Sequence, residues 1–349
     1  MFLTVASGVF GIGDTSSLNT IGKTMFSRFI GSAFLVSAFA LLITRPFFRL
    51  ETAPSPRGES QIEKVSELLF NILPKNPVQP FLDGNTLQII VLAILIGVVL
   101  LILGDRARNV RTVIEECGTV AQMMMEQVCR LIPAFVFVSL LRKVWSGFAA
   151  RLLSLWKPLG LYLLVNALMI VILLAIVSAQ TKTPPLLLLR KTVPAALIAF
   201  STASSMAAYS ASRDAFVKKL GIQQRLFDFG FPIGIVLYMP AGVISFVVLS
   251  GWFAEIYGVH VSPSWFIMAL LLSAILSIAI PPVPGAMLTC YGILVAQLNI
   301  PAVSVALAVA LDVIMDYYSS GLDVLAIELE MTSQASRLRM LDRDVLHKP

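Results

Sequence analysis

The sequence predicts an all-α polytopic membrane protein, and three observations carry that prediction. Hydrophobic residues make up 57% of the 349 residues and charged residues only 13%, about half the charge of a soluble globular chain. Mean hydropathy is +0.86. The apolar residues fall in long continuous runs, not in the alternating pattern of a membrane-spanning strand. The net charge of +6 sits in the loops between these runs, which is membrane topology and excludes a nucleic-acid partner. Cys117, Cys129 and Cys290 have no metal spacing and imply no disulfide framework. His260 and His347 are isolated in the sequence. No cofactor is expected. Residues 1–20 lack the basic start of a cleavable signal peptide.

The elements follow in order. Residues 25–44 form an apolar span, followed by a polar, Pro-containing loop over 50–80. Residues 86–103 form a second span, and 105–111 a charged turn. Residues 112–148 read as one long helix, amphipathic through Glu115, Glu116, Glu126 and Arg130, then apolar around Pro133. Residues 159–179 form a further span, and 226–251 another. Two zones are broken. In 185–218 an apolar stretch meets Ser201-Thr202-Ala203-Ser204-Ser205 before turning apolar again. In 265–300 the interruption is Pro281-Pro282-Val283-Pro284-Gly285. A Pro cluster cannot continue a helix, and several of these halves are shorter than the roughly 20 residues a crossing needs. Each zone therefore reads as helix, tip, helix: a re-entrant hairpin, whose backbone must be covered by protein or a wet cavity. Two kinked spans would be the ordinary alternative.

Charge orients the hairpins. The first zone is flanked by Lys182, Arg190 and Lys191, and by Arg213, Lys218, Lys219 and Arg225, so both ends read as cytoplasmic. The second is flanked by 252–264 and 299–303, which contain no Lys or Arg, so both ends read as external. The span 226–251 crosses between them, and the last span returns to an inner tail bearing Arg337, Arg339 and Arg343. Two oppositely inserted hairpins, each followed by a span, make an inverted repeat with binding groups at the helix breaks, which is transporter architecture.

The final span carries Asp312, Asp316 and Asp323. At about 100° per residue, 312, 316, 319, 320 and 323 share one stripe roughly 100° wide. It reads Asp, Asp, Ser, Ser, Asp between apolar flanks. An acid at membrane depth normally faces a cavity and marks function. The bland alternative puts one acid at a helix end and pairs another with a basic residue. An intramembrane aspartyl protease would need acids on two helices, whereas these lie on one, so the chain is not read as an enzyme.

At these residues the chain resembles the dicarboxylate/amino acid:cation symporter family, which includes the glutamate transporters. Asn71-Ile72-Leu73-Pro74-Lys75-Asn76-Pro77 with Gly84-Asn85-Thr86-Leu87-Gln88 is similar to the entry to the family's fourth span. Residues 199–205 resemble its Ser-rich first hairpin tip. Pro232-Ile233-Gly234 resembles the opening of its seventh span, Val283-Pro284-Gly285 its second hairpin tip, and Asp312-Val313-Ile314-Met315-Asp316 the DxxxD of its eighth. The resemblance implies a glutamate-transporter-like fold with two re-entrant hairpins in an inverted repeat. It implies a secondary symporter of a small amino acid or related solute, working by an elevator movement. It also implies a multi-pass protein of the cell membrane, in bacteria the inner membrane, with the lipid bilayer and a small-molecule substrate as partners.

The departures narrow the expectation. The family's sodium-binding NMDGT falls on Tyr238-Met239-Pro240-Ala241-Gly242, without its Asn and Asp. Its later sodium-binding Asp falls on Ile327, while a nearby Asn falls on Asp323. The arginine that holds an acidic side chain falls on Ser319, and its alternative position on Ala203. By resemblance, the substrate site takes Ser204, Ser205, Met239, Val283, Pro284, Gly285, Asp316, Ser319, Ser320 and Asp323. Asp316 would bind an ammonium, and Ser204, Ser205 and 283–285 a carboxylate. Gly234, Asp312 and Asp323 would serve a coupling cation, Na+ or H+. The expected parts are a remnant of the loop before the family's third span (1–14), a transport domain (15–49 and 159–333), a trimerising scaffold (72–158) and a cytoplasmic tail (334–349). The family's first span and most of its second find no counterpart, so the expected start is late or the copy is reduced. A homotrimer is expected where the scaffold is complete. The alternative is a non-transporting, reduced paralogue acting as an interaction subunit.

Overall fold

The computed structural model describes residues 2–10, 23–51, 74, 76–83, 86–129, 155–278 and 287–348. Fourteen α-helices are found among them. The first group is α1 (Phe2–Phe10), α2 (Lys23–Thr44), α3 (Gln79–Asp83), α4 (Thr86–Leu103) and α5 (Arg108–Cys129). After α6 (Trp156–Thr181) come α7 (Pro185–Thr202) and α8 (Tyr209–Asp214), then α9 (Gln224–Leu237) and α10 (Pro240–Ile256). The last are α11 (Pro263–Ile278), α12 (Met287–Gln297), α13 (Val305–Arg337) and α14 (Arg343–His347). Stretches long and apolar enough to cross a membrane include 24–47, 156–181, 185–202 and 233–256. The α4 boundaries coincide with the expected span, and α2 and α6 extend theirs by two or three residues at their ends.

The remnant loop expected over 1–14 is instead helical at Phe2–Phe10. That segment is almost wholly apolar, and the helix covers the apolar side of α4. Phe10 packs with Leu100, Leu101 and Ala107, and Phe2 meets Phe81 edge to face. Where the sequence reads as a turn at 105–111, a short 3-10 segment (Gly104–Ala107), opened by Gly104 at φ +58, runs directly into α5. Arg111 closes that segment by donating to the Leu100 and Leu101 carbonyls, the open end of α4.

Side-chain ties define two ends of the bundle. At one end Lys157, opening α6, pairs with Glu255 at the close of α10. The Arg49 amide donates to the same carboxylate, and the Val261 amide to the Glu51 carbonyl. At the other end Arg28 of α2 pairs with Glu330 of α13, and Gln180 of α6 accepts from Ser333. The broken zones start from opposite ends. α7 leaves the Thr181 end, turns at Ala203 (φ +48) and returns through a 3-10 turn, α8 and a π-turn (Ala215–Lys219). Lys191 donates to the Lys219 carbonyl, so the two arms meet again at their base. α11 leaves the Glu255 end, and Trp265 Nε1 donates to the Leu298 carbonyl beyond α12. The second tip, with Val283, Pro284 and Gly285, lies outside the described residues.

One expected span is not continuous. Residues 226–251 read as a single crossing, but the helix stops at Leu237 and restarts at Pro240. Tyr238 (φ −124, ψ 84) and Met239 (φ −119, ψ 68) are extended between them. The cause is Pro240, which has no amide hydrogen and forces the preceding residue out of the helical region. Pro240 then serves as the first residue of α10, where a missing amide hydrogen does no harm. Residues 240–254 of α10 are buried on every side, so this helix is the axis of the core.

Candidate functional site

Helix α13 carries all three aspartates, but not on one straight face. Its axis turns by 63° between Asp312 and Ile314. Asp312 stands on the first limb and is buried. The Tyr291 hydroxyl of α12 donates to it at 3.1 Å, and the Ser245 hydroxyl of α10 donates to the Tyr291 oxygen at 2.9 Å. Three elements thus converge on one carboxylate.

On the second limb, buried Asp323 accepts the Ala241 amide at 2.8 Å. Ala241 is the second residue of α10, so Asp323 caps the broken helix from 82 positions away. The amides opening a helix have no partner within it, and they carry the positive end of its dipole. The Pro240 break therefore creates the local positive charge that holds Asp323.

Asp316 differs from both. It is partly buried. Among the described residues no hydrogen-bond donor or cation engages its carboxylate, while its carbonyl accepts the Ser319 hydroxyl at 3.0 Å. Ser319 and Ser320 are both buried. Tyr162 of α6 is fully buried, its hydroxyl facing Ser319 and within electrostatic range of all three aspartates. No Lys or Arg pairs with any of the three among the described residues.

The remaining expected residues fall as follows. The first hairpin tip packs halfway along α13, with Ala195, Ala199 and Ala208 against Val324. Ser204 and Ser205 follow the turn at Ala203, with the Ser204 hydroxyl accepting the Ala207 amide. Met239 is buried in the α9–α10 break, where its carbonyl accepts the Val243 amide. The Gly234 carbonyl accepts the Tyr238 amide at 2.8 Å, and Gly234 packs on Ile327 and Phe29. Tyr238 stacks on Phe29 at 5.3 Å. Gly234 thus lies among apolar and aromatic groups, and no cluster of three or more His, Cys, Asp or Glu suited to a metal occurs among the described residues. Hard cations take six or more oxygens, or an octahedron of them.

Tyr162, Tyr291 and Ser245 stand around the aspartates, and the sequence reading did not include them. A tyrosine in an apolar span reads as core. The available signal was Tyr162 with Asn166 four residues on, two polar groups on one face of an apolar helix. Asn166 is buried too, with its Oδ1 unpartnered.

Comparison with known proteins fits this architecture. The chain is similar to C4-dicarboxylate transport protein 2 of Mesorhizobium japonicum, 22% identical over 325 residues, covering 89% of this chain and 73% of the relative. It is similar to the C4-dicarboxylate transport protein of Rhodospirillum rubrum at 22%, covering 89% and 72%. It also matches the proton/sodium-glutamate symport protein of Bacillus subtilis, 25% identical over 261 residues, covering 74% of this chain and 60% of that protein. The profile of the sodium:dicarboxylate symporter family matches residues 1–327. The described residues form long apolar helices with three aspartates on the last long one, as in a multi-pass membrane protein, and the chain belongs to the sodium:dicarboxylate symporter family, and so is a symporter and not an enzyme.

Proposed function

We propose that this chain is a symporter of a small organic solute bearing both a carboxylate and an ammonium group, such as a neutral amino acid. The observation that supports this is the Asp316 carboxylate, which no donor or cation engages among the described residues and which lies within electrostatic range of Tyr162. Asp316 takes the ammonium. The polar tip at Ser204 and Ser205, with 283–285, takes the carboxylate, and Ser319 and Ser320 face the side chain. Two re-entrant hairpins in an inverted repeat enclose the solute. Residues 15–49 and 159–333 move as an elevator against a scaffold of 72–158 in a homotrimer. Asp312 and Asp323 respond to the coupling cation.

A second reading, a C4-dicarboxylate as solute, is favoured by the names of the relatives above. A second carboxylate would need a cationic partner, and Arg28, part-buried on α2, is held by Glu330 at 2.7 Å. Uptake into proteoliposomes, competed by a panel of neutral amino acids, glutamate and succinate, separates the readings. Neutral amino acids are expected to compete best. Competition by succinate alone would establish the dicarboxylate reading. No uptake of any solute would favour a non-transporting subunit.

A further inference from the structure

The base of the first hairpin holds a concentration of positive charge that the solute site does not use. A cavity of about 260 Å³ opens between the start of α7, the π-turn and the end of the chain. Arg190, Lys191, Lys218, Lys219 and Lys348 line it together with two apolar residues, and no acid does. Lys218 pairs with Asp214 at 2.8 Å. Arg190, Lys219 and Lys348 have no ion-pair partner among the described residues. Lys191 is buried and directs its ammonium at three carbonyls, those of Lys219 (2.8 Å), Val345 (3.1 Å) and Leu346 (2.6 Å). Its three hydrogens are used, so it joins the hairpin to the chain end and leaves anion contacts to the other cations.

The C-terminal segment is docked there by specific geometry. The Asp342 amide donates to the Gly221 carbonyl at 2.8 Å, and the Gln223 amide to the Met340 carbonyl at 3.1 Å. Gly221 (φ +71) allows the close approach, since a Cβ there would lie 2.5 Å from the Asp342 carbonyl oxygen. Leu346 is fully buried. The contact therefore gathers cations from three segments around one cavity and leaves most of them unneutralised.

We propose that this cavity binds a phosphate group, and that the bound anion fastens the C-terminal segment to the base of the first hairpin. The volume accommodates a phosphate with several waters, each of about 30 Å³. Arg190 supplies a fork suited to two phosphate oxygens, and the lysines supply point charges. Basic pockets between membrane helices take phospholipid headgroups, and Leu186, exposed beside the cavity, offers contact for an acyl chain. Free phosphate presents the same oxygens.

Hydrogen exchange of 340–348 in the full-length protein tests this. Phosphate-free maltoside micelles, the same micelles with added phosphatidylglycerol, and the same micelles with inorganic phosphate in the buffer would be compared. Exchange is expected to slow by about tenfold in at least one loaded arm. Slowing only with phosphatidylglycerol identifies a headgroup, and slowing with inorganic phosphate identifies the ion. Arg190→Gln, Lys219→Gln and Lys348→Gln combined should abolish the slowing while leaving α10 protected. If that variant loses α10 protection, Lys348→Gln alone, at the exposed chain end, should reduce the slowing. Equal exchange in all three arms, or equal slowing in wild type and in the variant that keeps α10 protected, overturns the proposal.

Discussion

Asp312, Asp316 and Asp323 have the same side chain on the same helix, and their surroundings separate their roles. Asp312 accepts from a tyrosine and Asp323 from a helix N-terminus, while the Asp316 carboxylate has no partner among the described residues. If Asp316 holds the solute's ammonium, Asp316→Asn keeps the shape and removes the attraction. Breaking such a pair away from water should cost on the order of 3 kcal/mol, so binding should weaken by about a hundredfold. Titration of the detergent-solubilised variant with its solute measures this, and unchanged affinity would remove Asp316 from the site. The three aspartates were legible in the sequence because acids stand out in an apolar run. Their partners were not. Tyr162 and Tyr291 are indistinguishable by composition from core tyrosines, and the Ala241 amide has no sequence signature at all.

The α9–α10 break and the α7–α13 contact show how elements set the site. The break places an unsatisfied helix start against Asp323, so Asp323 is a structural cap whatever else it does. Asp323→Ala should lower stability by about 1–2 kcal/mol, because a buried amide loses its acceptor. Asp323→Asn keeps a capping oxygen and should retain most of it. Thermal unfolding in detergent compares them, and equal loss in both variants would show that charge, not capping, is what α10 requires. The second contact depends on Gly321, where a Cβ would lie 2.9 Å from Phe200 Cβ and 3.0 Å from the Ala196 carbonyl oxygen. The carbonyl is backbone and cannot turn aside. Gly321→Ala should separate α7 from α13 and destabilise the protein by about 1–3 kcal/mol, visible in the same unfolding assay. The break at Ala203 was legible because a Ser-rich interruption splits an apolar run. The break at Tyr238 and Met239 was not, because one proline in a long apolar run is equally compatible with a kink, and the 63° turn beside Val313 carries no breaker residue.

At the scale of the whole molecule, membrane class and element order followed from hydropathy, and the family from the spacing of its motifs. Coupling depends on long-range geometry instead. The α9–α10 break is where extended backbone could offer oxygens to an ion. Here the Gly234 carbonyl accepts the Tyr238 amide, the Met239 carbonyl accepts the Val243 amide, and the Tyr238 ring stacks on Phe29. Arg28 brings a fixed positive charge to the same region. It pairs with Glu330 at 2.7 Å and shares with Tyr238 the wall of a cavity of about 500 Å³. A hard cation needs several free oxygens around it, and Glu330 is already engaged by Arg28. Uptake should therefore survive replacement of sodium by choline. Counterflow in proteoliposomes, with either cation on both sides and an imposed pH gradient as a second arm, measures this directly. Rates within about twofold in sodium and choline would agree with the filled break. Strict dependence on sodium would mean that oxygens from Asp312, Asp316 and the second hairpin tip make an ion site without the break.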